Sequence, residues 1–204
     1  ESRLEPDHWS LDIWPPGKVN DEDQAYTDRE ENLRVEDGRL IIEAHRQVIK
    51  GASTYTSARI TTHGKVDIQY GRIDVRARLP KGQGTWPAIW MLPSDPFRYA
   101  SNCSDGQRWQ GVANCDAWPN SGEIDIMEQT GWEKNVLKGH LHWGHTETKE
   151  YFDEGESTNI PNPNEDFHLY SLIWTPYEII LLFDNEPFFT VPNDEKRPYD
   201  NPHY

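Results

Sequence analysis

Ser121-Gly122-Glu123-Ile124-Asp125-Ile126-Met127-Glu128 carries three carboxylates, and no lysine or arginine lies between Gly122 and Gly131 to neutralise them. Polar and apolar residues alternate from Glu123 to Ile126, the period of a half-buried strand. Glu123 and Asp125 then share a face, and Ile124 and Ile126 point to the core. Glu128 breaks the pattern because it stands five residues after Glu123. On a regular strand it would face the core as an unpaired charge, at great cost. It would also lie roughly 16–17 Å from Glu123 along the axis. One extra residue, at Ile126 or Met127, restores Glu128 to the face of the other two. The expectation is a bulged strand with Glu123, Asp125 and Glu128 on one wet face.

Outward from this strand, the same period recurs. In Ile73-Asp74-Val75-Arg76-Ala77-Arg78-Leu79 every second residue is apolar. Leu40 to Ala44, Phe167 to Thr175 and Glu178 to Phe183 read as further strands, and Asp184-Asn185-Glu186-Pro187 reads as a turn into Phe188-Phe189-Thr190-Val191. No helical period is sustained over a dozen residues. Short strands separated by Gly, Pro, Asn and Asp predict an all-β fold, an antiparallel β-sandwich in a single domain over residues 1–204. Two stretches, Pro93 to Asn120 and Asp153 to Asp166, read as loops. The first holds both cysteines, Cys103 and Cys115, in a polar segment whose spacing suits a disulfide-closed loop, and hence an oxidising compartment.

Composition narrows the partners. The chain has 204 residues and a net charge of −15, which repels phosphate backbones and argues against nucleic acid. No apolar run approaches the roughly 18 residues of a membrane span, so no membrane partner is expected. A neutral ligand fits best. Nine tryptophans in so polar a chain suggest a binding surface as well as a core. Trp86, Ala88 and Trp90 alternate with Pro87, Ile89 and Met91, so both indoles face one way, toward either a ligand or the core. His140, His142 and His145 raise the possibility of a metal, but no metal site is assigned.

Crowded carboxylates raise one another's pKa, so at least one holds a proton near neutral pH. A retaining glycosidase needs that arrangement: one carboxylate attacks the anomeric carbon, and a protonated one about 5–5.5 Å away protonates the leaving oxygen. By spacing alone, a solvated acidic edge strand remains open. Trp118-Pro119-Asn120-Ser121-Gly122-Glu123-Ile124-Asp125-Ile126-Met127-Glu128 resembles the signature of glycoside hydrolase family 16, in the bulged form of bacterial laminarinases, which are endo-β-1,3-glucanases. Asn20 to Thr27, Tyr55 to Ile60, Tyr70-Gly71-Arg72, Gly84 to Leu92 and Gly139 to His142 agree with the family in the same order.

The resemblance implies a jelly-roll sandwich with a concave open cleft. It implies Glu123 as nucleophile, Glu128 as general acid/base and Asp125 as the residue that modulates the nucleophile. It further implies Trp86, Trp90 and Trp118 as sugar platforms, and His142, Asn20 and Arg59 as polar residues lining the cleft. The implied function is retaining endo-hydrolysis of β-1,3-glucan by an exported monomer, extracellular or periplasmic, on a neutral polysaccharide. Alternatives are a mixed-linkage glucan or neutral galactan hydrolase, against whose common mixed-linkage form the bulge argues, and a glucan-binding protein, whose type typically lacks the carboxylates. No cofactor is needed for catalysis. A structural calcium occurs in relatives, but its ligands lie near both termini and cannot be assigned. Both ends look short for the family, so the first and closing strands are expected to be missing.

Overall fold

Residues 4–49, 52–96, 117–144 and 150–194 are described by the computed structural model. The fold is all-β, and among the described residues the only helix is a four-residue turn, Ala117–Asn120. The chain divides into two compact units, Glu1–Asp67 and Ile68–Tyr204.

The first unit holds seven short strands: β1 Ser10–Leu11, β2 Gln24–Tyr26, β3 Leu33–Glu36, β4 Arg39–Ile42, β5 His45–Ile49, β6 Ala52–Ser57 and β7 Ile60–Thr61. β3 and β4 form a hairpin whose turn, Asp37-Gly38, takes positive φ at both residues, the geometry that matches strand twist. β2 pairs with β6 in parallel, a departure from the antiparallel expectation that the sequence did not reveal. Buried Asn32 ties the unit together, donating to the Glu43 carbonyl and the Thr56 hydroxyl while accepting from Thr27. Arg59 is 3.0 Å from Asp12 and lies over the ring of Trp14. Asn20 sits in a turn with φ of 52°.

The second unit is a two-sheet sandwich. One sheet has the order β15-β14-β13-β8, from β8 Gly71–Ala77, β13 His168–Trp174, β14 Glu178–Phe183 and β15 Glu186–Pro192. The other has the order β12-β11-β10-β9, from β9 Ala88–Met91, β10 Glu123–Glu128, β11 Val136–Gly144 and β12 Tyr151–Asn159. Alternation sends Ile124, Ile126 and Leu141 from the second sheet against Leu172, Trp174, Ile179 and Leu181 from the first. Each such fully buried side chain contributes about 1.5–3 kcal/mol by leaving water. The opposite face of β9–β12 is thereby left to polar and aromatic residues.

One expectation is corrected. Of the stretch read as a loop, Asp153 to Asp166, the part up to Asn159 belongs to a strand, Tyr151–Asn159. It is the edge strand of its sheet and is largely exposed along its length. Neither face needed apolar residues, so the sequence Tyr-Phe-Asp-Glu-Gly-Glu-Ser-Thr-Asn carries no period-2 signal.

Candidate active site

β10 contains the bulge that residue counting requires. Against β9, Asp125 pairs with Trp90 and Met127 with Ile89, so Ile126 has no partner of its own. Against β11, Asp125 pairs with His140 and Glu128 with Lys138, three steps on one strand against two on the other. Ile126 and Met127 consequently both turn inward, Ile126 into the main core cluster and Met127 into the neighbouring one. Five residues become four ladder steps, an even number, and Glu128 joins Glu123 and Asp125 on the open face.

The entry to β10 is built by the Ala117–Asn120 turn. Ser121 N–H donates to the Ala117 carbonyl and Gly122 N–H to that of Pro119. Gly122 takes φ of 86°, which glycine adopts freely. The Trp118–Pro119 bond is cis. This turn brings the Trp118 indole back over the strand, where its N–H donates to Glu123 Oε2 at 2.6 Å. At the other end of the strand, Trp86 donates its indole N–H to Glu128 Oε1 at 2.8 Å. Both rings are largely exposed, at 53% for Trp86 and 41% for Trp118, so they can still stack on a ligand. Trp90 lies beside Asp125 in the ladder, while Ile89 and Met91 pack into the core. The alternation of Trp86, Ala88 and Trp90 therefore resolves in favour of the open face.

Electrostatics single out the first two carboxylates. Burial, and next the charge of Asp125, push the Glu123 carboxyl up to about 8; the Trp118 hydrogen bond and His142 act the other way, and Glu128 adds to the rise. Burial, and next Glu128, also push Asp125 far above the carboxylate range, although a hydrogen bond with Glu123 favours its charged form. Two acids joined by a hydrogen bond act as one pair that retains a proton. Lys138, the ladder partner of Glu128, spends its ammonium on Glu133.

His142 lies next to this pair. Its Nε2 is 3.0 Å from Asp125 Oδ2, and its Nδ1 is 2.7 Å from the Tyr151 hydroxyl. His140 stacks on His142 at 5.3 Å, and the Tyr151 ring lies nearly parallel to that of His142 at 6.0 Å. Trp118 adjoins both His142 and Tyr151. The ring nitrogens of His142 are thus engaged by protein groups rather than turned toward a metal, and no metal-holding cluster occurs among the described residues. Tyr151 and its neighbour Asp153 are site residues that sequence reading missed, because they lie on the strand it missed. Asn20 and Arg59 belong to the first unit, where Arg59 engages Asp12 and Trp14. Cys103, Cys115 and His145 lie outside the described residues.

Comparison with known proteins bears on this geometry. The family described as "Glycosyl hydrolases family 16" matches residues 20–204. A beta-glucanase of Rhodothermus marinus is 42% identical over 196 residues, covering 93% of this chain and 61% of the relative. The chain thus spans about three-fifths of the length of that relative. The structure of LamA from Z. galactanivorans, in complex with laminaritriose and laminaritetraose, superimposes with a TM-score of 0.79 at 36% identity, covering 100% of this chain and 82% of that one. A non-specific endo-beta-1,3(4)-glucanase, SCLam, gives a TM-score of 0.78 at 32% identity, over 98% of this chain and 74% of that one. The likeness to these structures agrees with the all-β sandwich of jelly-roll type expected from the sequence.

Proposed function

The chain belongs to glycosyl hydrolase family 16, and from that premise we propose that it hydrolyses β-1,3-glucan internally, with retention at the anomeric carbon. The observation that carries this reading is the bulge, which gathers Glu123, Asp125 and Glu128 onto one face with an indole donor on each glutamate.

In the first displacement, a Glu123 oxygen bonds to the anomeric carbon as the glycosidic C–O bond breaks, and Glu128 gives its proton to the departing sugar oxygen. In the second, Glu128 takes a proton from water, the hydroxide oxygen bonds to the same carbon, and the ester to Glu123 breaks. One water is consumed and both carboxyls return to their starting state. The buried pair holds its proton between Glu123 and Asp125; attack requires that proton to rest on Asp125, which leaves Glu123 charged and facing the Trp118 N–H. Trp86 and Trp118 offer apolar ring faces to the C–H faces of glucose.

The relative solved with laminari-oligosaccharides supports the β-1,3 linkage. The relative named as acting on both linkages makes mixed-linkage glucan the second substrate to measure. The test is reducing-sugar release from laminarin, lichenan and agarose side by side. Laminarin cleaved at least about tenfold faster than lichenan is the expected result. Agarose as the preferred polymer, or no release from any of the three, would overturn the reading.

A further inference from the structure

The Tyr151 hydroxyl, which lies 2.7 Å from His142 Nδ1, lies 3.2 Å from Asp153 Oδ2 on its other side. Four groups on three adjacent strands therefore form one chain: Asp125 on β10, His142 on β11, and Tyr151 and Asp153 on β12. In the ladders His142 stands between Glu123 and Asp153. Other groups facing its ring are His140 on its own strand and Trp118 above.

The hydrogens in this chain can be counted. A carboxylate has only acceptors, so the single Tyr151 hydrogen goes to Asp153. The Tyr151 oxygen then meets Nδ1 with a lone pair, and a 2.7 Å contact there requires a hydrogen on Nδ1. Tyr151 stays a phenol, because desolvation and the charge of Asp153 push its hydroxyl up to about 12. With Nδ1 always protonated, the ring can change its charge only at Nε2, which faces Asp125.

We propose that Tyr151, oriented by Asp153, pins the Nδ1 hydrogen of His142 and confines proton gain and loss by that ring to Nε2, opposite Asp125. Tyr151 and Asp153 are positioning residues for the proton held beside the nucleophile. Loss of the pin lets the ring adopt the Nε2–H form, with Nδ1 as the nitrogen that titrates. Asp125 then faces a permanent donor, which favours its charged form and alters the proton balance of the Glu123–Asp125 pair. The kinetic part of this proposal rests on the hydrolytic reading above; the tautomer does not.

The decisive measurement is the protonation state of each His142 nitrogen by 15N NMR across pH, with the signal assigned by its loss in His142→Gln. Wild type is expected to hold Nδ1–H throughout, with Nε2 titrating. Tyr151→Phe keeps the ring that stacks on His142 and is expected to switch it to Nε2–H. Asp153→Asn, whose amide can donate to the Tyr151 oxygen and free its hydrogen for Nδ1, is expected to do the same. An Nε2–H wild type, or a tautomer unchanged in both variants, overturns the proposal. On laminarin, Tyr151→Phe should lower kcat about tenfold and move the pH profile by at least half a unit, with KM changed less than twofold. A raised KM with an unmoved pH profile would instead make Tyr151 a sugar platform and overturn its positioning role. Because the NMR readout needs no turnover, failure to cleave laminarin would strike the functional reading alone.

Discussion

The indole nitrogen of Trp118 lies 2.6 Å from Oε2 of Glu123, so a ring with an exposed face also donates a hydrogen bond to the carboxylate beside it. That hydrogen bond favours the charged form of Glu123, against burial and the charge of Asp125. Trp118→Phe keeps an aromatic face and removes the donor. Glu123 should then titrate higher still, leaving less carboxylate at acid pH. Hydrogen bonds to charged groups contribute about 1.5–3 kcal/mol, so kcat/KM at pH 5 should fall at least about tenfold and recover partly toward pH 8. A pH–rate profile with an unmoved acid limb would show that the indole acts on sugar alone.

Glu123→Gln should leave less than about one per cent of wild-type kcat, on the scale of other covalent catalysts. The amide keeps the shape of the side chain and can still accept from Trp118, but it cannot attack the anomeric carbon. Binding of laminari-oligosaccharides should persist, and calorimetry on the variant checks it. Substantial residual turnover would remove Glu123 from the role of nucleophile.

Stability should carry the mark of the buried pair. The Asp125 carboxyl is raised to about 8 in the folded chain, against roughly 4 for an unperturbed aspartate. The folded state therefore binds more protons than the unfolded state between these values. Stability from this source is complete below about pH 4 and is lost as pH climbs through about 8. Asp125→Asn removes the titration. The variant should melt at a higher temperature than wild type at pH 8.5, with little difference at pH 4. Calorimetry at both values checks it, and an equal change at both would mean that the proton is not held there.

How much of this was legible depended on which residues carry a signal. The odd interval from Glu123 to Glu128 was enough to require a bulge, because parity on a strand is strict, and the ladder shows it between Asp125 and Glu128. Trp86 and Trp90 were ambiguous between core and ligand until Ile89 and Met91 were seen to fill the core. Tyr151 and Asp153 were illegible, since β12 lies at an edge and its exposed faces impose no hydrophobic pattern. Spacing announced crowded carboxylates, but it could not show that burial concentrates the proton on Glu123 and Asp125, because burial is set by how the strands pack. Nor could sequence join Arg59 to Asp12, which are brought together by the pairing of β1 with β7.

Gly155 is one residue of β12 whose small size has a clear reason. It pairs with His140 across the ladder, and a Cβ placed there would lie 2.5 Å from the His140 ring and 2.7 Å from the Gly139 carbonyl oxygen. The carbonyl belongs to the strand ladder and cannot move cheaply. Gly155→Ala should therefore destabilise the fold by roughly 1–3 kcal/mol, the usual range for overpacking. It should also press His140 toward His142 and lower kcat on laminarin. Thermal unfolding paired with kinetics tests both, and an unchanged melting temperature would contradict the close approach.

The last prediction concerns stereochemistry, where the two carboxylate mechanisms part. An inverting enzyme activates a water between its carboxyls and produces the α-anomer from a β-linked polymer in one displacement. A retaining enzyme displaces twice at the same carbon and returns the β-anomer. In the proposed double displacement Glu123 attacks directly; it accepts a hydrogen bond from Trp118 and shares a proton with Asp125. Glu128 lies on the same face, four ladder steps along β11, and its charge is felt by both Glu123 and Asp125. In the proposed double displacement Glu128 becomes a base as Glu123 becomes an ester. Proton NMR of laminarin digests, read before mutarotation sets in, should therefore show the β-anomer first. Early accumulation of the α-anomer would mean that Glu123 works through water, and the double displacement would have to be abandoned even if both glutamates proved essential.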